Sequence, residues 1–263
     1  MNFSLVAEAW AETAPNVAAG APKLDPLHHF QVVNYVKLAP FGFDISISNS
    51  VVWMWLAVAV AFGLFRYALR APTLVPGRMQ SVAEAAYLFL DGIVNDVIGP
   101  SGKKFFPGIF TLFFFVLFCN WLGLIPGSFT VTSQLIVTGT LALSIFVLCI
   151  FLGVYHHGWK FLGFFVPHGL PPFLLPLIVP IEVISFLARP VSLAVRLFAN
   201  MTAGHTLLGV LFFFTVTLSW FGAWLPFGFT VVFSGFEVFI GFIQAYIFTM
   251  LTCVYLNDAL HLH

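Results

Sequence analysis

Charged side chains are so scarce in this sequence that they cannot build a water-soluble surface. The chain has 263 residues, of which 10 are Lys or Arg, 10 are Asp or Glu and 60% are hydrophobic. The charged fraction is 8%, against about 25% in an ordinary globular protein. The mean hydropathy of +1.02 agrees. The composition therefore predicts an integral membrane protein built from α-helices.

The same composition excludes several classes of function. The formal net charge is zero and there is no basic run, so nothing favours a nucleic-acid partner, and a soluble enzyme is excluded. The cysteines Cys119, Cys149 and Cys253 lie in apolar segments without CxxC spacing. We therefore interpret them as packing residues and expect neither a metal centre nor a redox pair among them.

Hydropathy divides the chain into an arm and a membrane domain. Residues 1–44 are interrupted by Pro, Asp and His and show little hydrophobic periodicity. This pattern predicts an extramembrane N-terminal arm with room for one short surface helix. The arm lacks the basic start of a cleaved signal peptide, so we expect it to be retained. Residues 45–263 are predicted to form a single membrane domain.

The first half of the membrane domain contains three predicted spans and one surface helix. Residues 50–65, extended to Arg70, predict one upright span, and residues 107–125 and 133–155 predict a transmembrane hairpin. Residues 77–98 place apolar side chains at helical spacing with polar ones on another face. This pattern predicts an amphipathic helix lying in the membrane interface.

The last part, about residues 173–257, contains two apolar runs that are too long for upright spans. As one helix, residues 181–219 would be roughly 58 Å long and residues 227–257 about 46 Å, against a hydrocarbon core of about 30 Å. We therefore predict a steeply tilted two-helix hairpin that turns at residues 220–226. Pro190 is the expected kink in its first helix, because proline removes a backbone donor.

The basic residues of the loops predict the orientation. With the N-terminus outside, only Lys23 and Lys37 fall outside. The remaining loop residues of this kind then fall inside: Arg66, Arg70, Arg78, Lys103, Lys104 and Lys160. Because basic residues prefer the cytoplasmic side, this bias favours an outer N-terminus and an inner C-terminus.

Charged and histidine residues also occur within the last two predicted helices. They are Glu182, Arg189, Arg196, His205 and Glu237. A charge at the bilayer centre costs roughly 3 kcal/mol on insertion scales, so each is a candidate functional residue. The alternative for each is a structural ion pair or a side chain that reaches the interface, and for Arg189 this alternative stays open.

Arg196 has no carboxylate close to it in sequence, since none occurs between Val183 and Phe236. Helical geometry places it on a stripe of mostly small residues: Ser185, Arg189, Ser192, Arg196, Ala199 and Ala203. Small residues allow another helix to approach closely. Two interpretations of Arg196 are possible: a buried structural arginine, or part of a face that slides along a partner carrying a carboxylate. We favour the second.

A turn near Trp220 would place polar residues of the two helices opposite one another. His205 would lie opposite Glu237, and Arg196 opposite Gln244. The same register pairs Ser185 with Tyr255 and Glu182 with Asp258. A membrane histidine is more often a satisfied core group, but beside Glu237 it could relay a proton. Relay groups would then lie on both sides of Arg196.

Two segments resemble subunit a of F-type ATP synthases. They are RPVSLAVRLFANMTAGH at residues 189–205 and QAYIFTMLTCVYL at 244–256. The resemblance extends more loosely over roughly residues 26–258, including NWLGLIP at 120–126. It implies a stator protein beside a ring of c-subunits, with b-type peripheral stalk subunits as further partners.

The resemblance also implies roles for individual residues. Arg196 would be the essential charge facing the ring carboxylate, and Ser185, Ala199 and Ala203 would face the rotor. The implied proton path contains Glu182 on the inner side, His205 and Glu237 on the outer side, and Asn200, Gln244, Ser192 and Tyr255. Many bacterial relatives have the acid and the imidazole in the opposite order; the order here is the mitochondrial one.

The resemblance implies an alphaproteobacterial inner-membrane protein with a periplasmic N-terminus and a cytoplasmic C-terminus. It implies no cofactor and no small-molecule substrate other than H⁺ or Na⁺. A stand-alone ion-coupled transporter is the alternative, but it would normally show an internal repeat. A metalloenzyme would need more ligands than the sequence groups together, since His205 with Glu237 falls short of the usual three or four.

Overall fold

The chain folds as a helical membrane protein, as its composition predicts. The computed structural model describes residues 34–36, 47–70, 73, 75–125, 127–158, 163, 172–218 and 220–260. The described α-helices are α1 (Asn49–Ala68), α2 (Arg78–Val97), α3 (Phe106–Gly123), α4 (Leu135–His157), α5 (Leu175–Thr217) and α6 (Trp220–Leu260). All of these except α2 are long and apolar enough to cross a membrane.

Short elements complete the described part. Strands β1 (Asn34–Val36) and β2 (Ile47–Ser48) pair in an antiparallel arrangement. This pairing connects the predicted arm to the residues just before α1. Turns of 3₁₀ helix occur at Pro100–Lys104, Val131–Ser133 and Pro172–Leu174. The rest of the predicted arm lies outside the described residues.

The predicted turn of the last hairpin is wrong in its position. Residues 220–226 are helical, and the break falls at Leu218, whose ψ of 151° is extended. Helix α6 runs through Pro226, because a proline removes only one backbone hydrogen bond. The remaining backbone groups of an apolar segment must still bond within the helix. For the same reason α5 continues through Pro180 and Pro190.

The two last helices are longer than we predicted. Helix α5 has 43 residues and α6 has 41, which correspond to about 64 Å and about 61 Å. Both lengths are about twice the thickness of a hydrocarbon core. The steep tilt of this hairpin stays a prediction that these lengths favour.

Helix α3 is the most enclosed helix of the fold, and α1 is the most exposed. Val116, Leu117 and Cys119 of α3 are almost completely buried, and α3 packs between α1 and α6. On α1, by contrast, Trp55 is 70% and Phe62 71% exposed. The apolar surface of α1 is suited to lipid or to the helix of another protein.

Two side chains at the end of α3 bond to the backbone of α6. The Asn120 amide is fully buried and donates to the Gly241 carbonyl over 3.1 Å. The Trp121 indole N–H donates to the Val238 carbonyl, also over 3.1 Å. Gly241 permits this approach, since an added Cβ would lie 3.3 Å from Cβ of Asn120. The NWLGLIP segment thus docks α3 against the hairpin.

Helix α2 is amphipathic and is anchored to the preceding linker. The buried Gln80 side chain accepts from the backbone N–H of Thr73 and donates to its carbonyl, at 3.2 and 3.1 Å. It also donates to the carboxylate of Glu84 at 2.8 Å. The position of α2 in the membrane interface remains a prediction.

Candidate functional site

Every site residue that we predicted lies on one of two helices that pack against each other. Those on α5 are Glu182, Ser185, Ser192, Arg196, Ala199, Asn200, Ala203 and His205. Those on α6 are Glu237, Gln244 and Tyr255. Contacts at two levels fix how the helices face each other. The first level is near Arg189 and the second is near His205.

At the first level, Arg189 forms an ion pair with an acid at the end of α6. Its Nη1 donates to Oδ2 of Asp258 over 3.1 Å, with the two side chains 31% and 24% exposed. The guanidinium also lies 5.8 and 5.9 Å from the ring centres of Phe186 and Tyr255. Of the alternatives left open for Arg189, the structure shows the ion pair.

This ion pair differs from the predicted register. Tyr255 and Asp258 were expected opposite Ser185 and Glu182, but the contacts join both of them to Arg189. An arginine side chain is long enough to contact residues that do not lie at the level of its own Cα. A register deduced from residue numbers alone does not include that reach.

Arg196 lies two helical turns from Arg189 but in different surroundings. It is exposed, and so are the small residues of the predicted stripe, namely Ser185, Ser192, Ala199 and Ala203. The opposite face of α5 is buried through Leu193, Ala194 and Leu197. Within the described part of the chain, no carboxylate forms an ion pair with Arg196. The stripe is therefore an uncovered surface with a cation in it.

In the half of α5 that leads to the hairpin turn, Gly204 brings α6 very close to α5. An added Cβ at Gly204 would overlap Oε1 of Glu237 and lie 3.0 Å from its Cδ. The Glu237 side chain is buried, and neither carboxylate oxygen has a hydrogen-bond partner among the described residues. An unpartnered buried carboxylate is costly unless it binds a proton or water.

His205 is the neighbour of Gly204 and is half-buried. Its Nε2 lies 3.1 Å from the hydroxyl oxygen of Thr130, in the connection between α3 and α4. The structure thus brings Glu237 to the residue next to His205, and it gives His205 a hydroxyl partner that we did not predict. The shared proton site of His205 and Glu237 remains a prediction.

Other buried polar atoms near these helices have no hydrogen-bond partner within the described chain. They are Asn120 Oδ1, Thr132 Oγ1, Thr202 Oγ1, Gln244 Nε2 and Thr249 Oγ1. Most buried polar groups in proteins are bonded to protein or ordered water. Such atoms commonly bind ordered water.

The remaining predicted residues differ in exposure. Glu182 and Asn200 are half-buried, and Tyr255 is buried. No group of three or more His, Cys, Asp or Glu side chains comes together among the described residues. His28, His29 and His168 lie outside the described residues.

Our reading of the sequence missed two contributors to this site. Asp258 appeared only as a position in the register, although its place at the end of α6 could have marked it as a partner for a basic residue. Thr130 lies in a segment with no helical or strand periodicity, so no pattern pointed to it.

Comparisons with known proteins agree with the motifs. The family model of the ATP synthase A chain matches residues 51–257. A protein of Magnetococcus marinus named ATP synthase subunit a is 60% identical over 257 residues, covering 96% of this chain and 99% of the relative. Proteins of the same name from Azorhizobium caulinodans and Xanthobacter autotrophicus are 48% and 49% identical, each over 90% of this chain and 98% of the relative.

The contact between Gly204 and Glu237 predicts a cross-link that reports the register of the hairpin. A Cβ on Gly204 would lie 3.4 Å from Cγ of Glu237, so cysteines at these two positions should form a disulfide on mild oxidation. The control pairs the Glu237 cysteine with one at Ala203, which is exposed on another face of α5. Mass spectrometry of an otherwise cysteine-free chain would measure both. Equal cross-linking of the two pairs would contradict this register.

Proposed function

The chain belongs to the ATP synthase A chain family, and from that premise we propose that it is the stator subunit that couples proton flow to rotation in the membrane sector of the enzyme. Two half-channels, one open to each side of the membrane, meet a rotating ring of c-subunits on either side of Arg196. The subunit moves protons and is not catalytic by itself. The observation that carries this proposal is the exposed Arg196 without a carboxylate partner in the described chain.

An unpaired arginine at membrane depth requires a partner from another chain. Arginine stays protonated even when buried, and an unpaired charge in hydrocarbon costs several kcal/mol. At an effective dielectric of about 20, a carboxylate about 4 Å away offers about 4 kcal/mol before desolvation is subtracted. A ring carboxylate that passes Arg196 would therefore be held ionised and would have released its proton.

The contrast with Arg189 supports this assignment. Both arginines lie on the same face of α5, yet Arg189 is already neutralised by Asp258. A cation that is already paired within its own chain is stabilised less by a passing carboxylate than an unpaired cation is. Arg196 is therefore the arginine that remains available to the ring.

The exposed stripe around Arg196 fits a moving partner. Ser185, Ala199 and Ala203 are small and exposed, so the helices of a ring could approach closely and slide without having to unlock large side chains. We therefore assign these three residues to the surface that faces the rotor.

We assign the outer half-channel to His205 and Glu237. The buried Glu237 carboxylate needs a proton or water, and the imidazole next to Gly204 is a side chain that can both accept and release a proton. Together they can pass protons singly toward the ring. Oδ1 of Asn120 and Oγ1 of Thr202 have no hydrogen-bond partner among the described residues and offer further sites for bound water.

Polar residues near Arg196 would connect the outer path to the ring. Gln244 is buried, and its Nε2 has no bond to described residues. Asn200 lies one turn beyond Arg196 on α5, and Ser192 one turn before it. We propose that these three side chains orient the guanidinium and the ring carboxylate as they meet.

The inner half-channel is assigned to Glu182 and Tyr255. Glu182 is half-buried near the start of α5, and the Tyr255 ring borders the guanidinium of Arg189. A proton leaving the ring would reach Glu182 without crossing Arg196. The two half-channels would then connect only through rotation of the ring.

The proposed setting is the bacterial inner membrane, with the N-terminus in the periplasm and the C-terminus in the cytoplasm. The loop bias of basic residues supports this orientation. The b-type subunits of the peripheral stalk would hold the subunit still against the torque of the ring. The proposed cargo is H⁺, or Na⁺ if the ring carboxylate site selects it.

Replacing Arg196 should separate proton conduction from rotation. We expect Arg196→Ala to abolish ATP synthesis and ATP-driven pumping in an assembled complex, and to leave a passive proton leak between the half-channels. Arg196→Lys should also fail in coupled transport, because an ammonium desolvated between this subunit and the ring can lose its proton and cannot form a planar fork. Inverted membrane vesicles allow ATP synthesis, ATP-driven proton pumping and the passive proton leak to be measured on the same preparation.

Arg189→Ala is the matched control for the arginine experiment, since Arg189 lies on the same helix face but pairs with Asp258. It should keep most of the coupled activity. Near-normal pumping by an assembled Arg196→Ala complex would refute the proposed mechanism.

The order of His205 and Glu237 should matter less than the presence of both. We expect either single Ala variant to slow ATP synthesis strongly. The exchange His205→Glu with Glu237→His should retain more activity than either, because the pair of proton carriers is preserved. Synthesis rates per assembled complex test this, and an exchange variant no faster than the single Ala variants would count against a shared site.

The orientation can be tested with two exposed glycines of similar backbone conformation. Gly127 and Gly158 both have positive φ, of 85° and 56°, and lie at opposite ends of α4. In the proposed topology, a cysteine at Gly127 reacts with an impermeant thiol reagent added outside, and one at Gly158 reacts only from inside. The reverse pattern would invert the topology.

A further inference from the structure

The connection between α3 and α4 turns inward instead of lying on the surface. Its residues 129–133 are all buried, and the 3₁₀ turn Val131–Ser133 packs on α5 as well as on α3 and α4. Non-helical backbone at membrane depth is stable only where protein covers it or where it lines an aqueous path. Its burial beside α5 fits a wall of the outer half-channel.

Within this connection, Thr130 is fixed in place from two directions. Thr130 and Ser128 both donate a hydroxyl hydrogen bond to the carbonyl of Gly123, at 3.4 and 2.9 Å. Ser133 donates to the Thr130 carbonyl over 2.6 Å. Position 123 has no space for a side chain, because a Cβ there would lie 2.9 Å from Cγ2 of Thr130. The hydroxyl of Thr130 therefore has a defined position.

That hydroxyl reaches the imidazole of His205, with Oγ1 3.1 Å from Nε2. A threonine hydroxyl donates one hydrogen bond and accepts two. We infer that Thr130 is a positioning residue for His205, one that bonds the imidazole in both of its charge states while protons pass. The inference rests on the proposed place of His205 in the proton path.

The two acceptors around Thr130 explain how one hydroxyl serves both charge states. When Nε2 of His205 carries a proton, it donates to Oγ1 of Thr130, and the hydroxyl hydrogen points to the Gly123 carbonyl. When Nε2 is deprotonated, the hydroxyl hydrogen turns to Nε2 instead. Only a rotation of the O–H bond separates the two arrangements, and the imidazole keeps the same place and orientation in both.

A neutral partner is suited to a residue that must release its proton in every cycle. Many functional histidines are oriented by a carboxylate, which also favours the protonated ring. Residues 124–134 contain no charged group, and α4 contains none before its final histidines. On α6 the carboxylates are those of Glu237 and of Asp258, which pairs with Arg189. Thr130 thus fixes the orientation of His205 without adding a charge.

The test compares hydroxyl removal at two buried positions of the same turn. Thr130→Val has the same shape as threonine but cannot bond to His205, and we expect ATP synthesis by the assembled complex to fall about five-fold. Thr130→Ser keeps the hydroxyl and should restore most of the rate. The control is Thr132→Val, because Thr132 is equally buried and its hydroxyl has no partner among described residues.

Synthesis rates in native membranes, normalised to assembled complex, separate the outcomes. A Thr130→Val variant as active as Thr132→Val would overturn the inference. So would failure of Thr130→Ser to restore the rate, or failure of Thr130→Val to assemble, because the residue would then act through packing. His205→Ala in the same assay tests the underlying function. If His205→Ala is slow and Thr130→Val is fast, only the positioning role is lost.

Discussion

The cost of an uncompensated charge in hydrocarbon governs how the two longest helices are arranged. Arg189 and Arg196 stand on one face of α5, and each would be several kcal/mol unfavourable without a partner. Asp258 at the end of α6 compensates Arg189 within the chain. Arg196 remains exposed without such an acid in the described residues. In the proposed function, this difference separates a structural charge from one that is available to another molecule.

The same constraint acts on the backbone. Helices satisfy their own N–H and C=O groups, so α5 and α6 continue through prolines that would end a helix in water. The connection between α3 and α4 cannot do so, and it is instead buried and bonded to the carbonyl of Gly123. Burying that connection is also what brings Thr130 to His205. A requirement of backbone chemistry thus places a side chain at the candidate site.

Much of this arrangement could be predicted from the sequence, and the limits have physical causes. Apolar runs located every long helix, because hydropathy and length act locally. The stretch without a carboxylate around Arg196 identified the unusual cation for the same reason. The hairpin turn was predicted at residues 220–226, whereas α6 begins at Trp220 and runs through Pro226, since a proline interrupts a helix less in lipid than in water. Thr130 and the Arg189–Asp258 pair depend on contacts between distant segments, which no periodicity encodes.

The contacts around the proposed proton path share a property that follows from the need for turnover. A permanent partner for Arg196 would enclose it, as the rings of Phe186 and Tyr255 border Arg189, and would have to be broken on every step of rotation. The small exposed residues around Arg196 do not enclose it, so a carboxylate can approach and leave without breaking such contacts. A hydroxyl beside His205 likewise orients the ring without trapping a proton by charge. In the proposed mechanism, both features prevent any intermediate from becoming too stable to react further. A motor driven by single protons requires this.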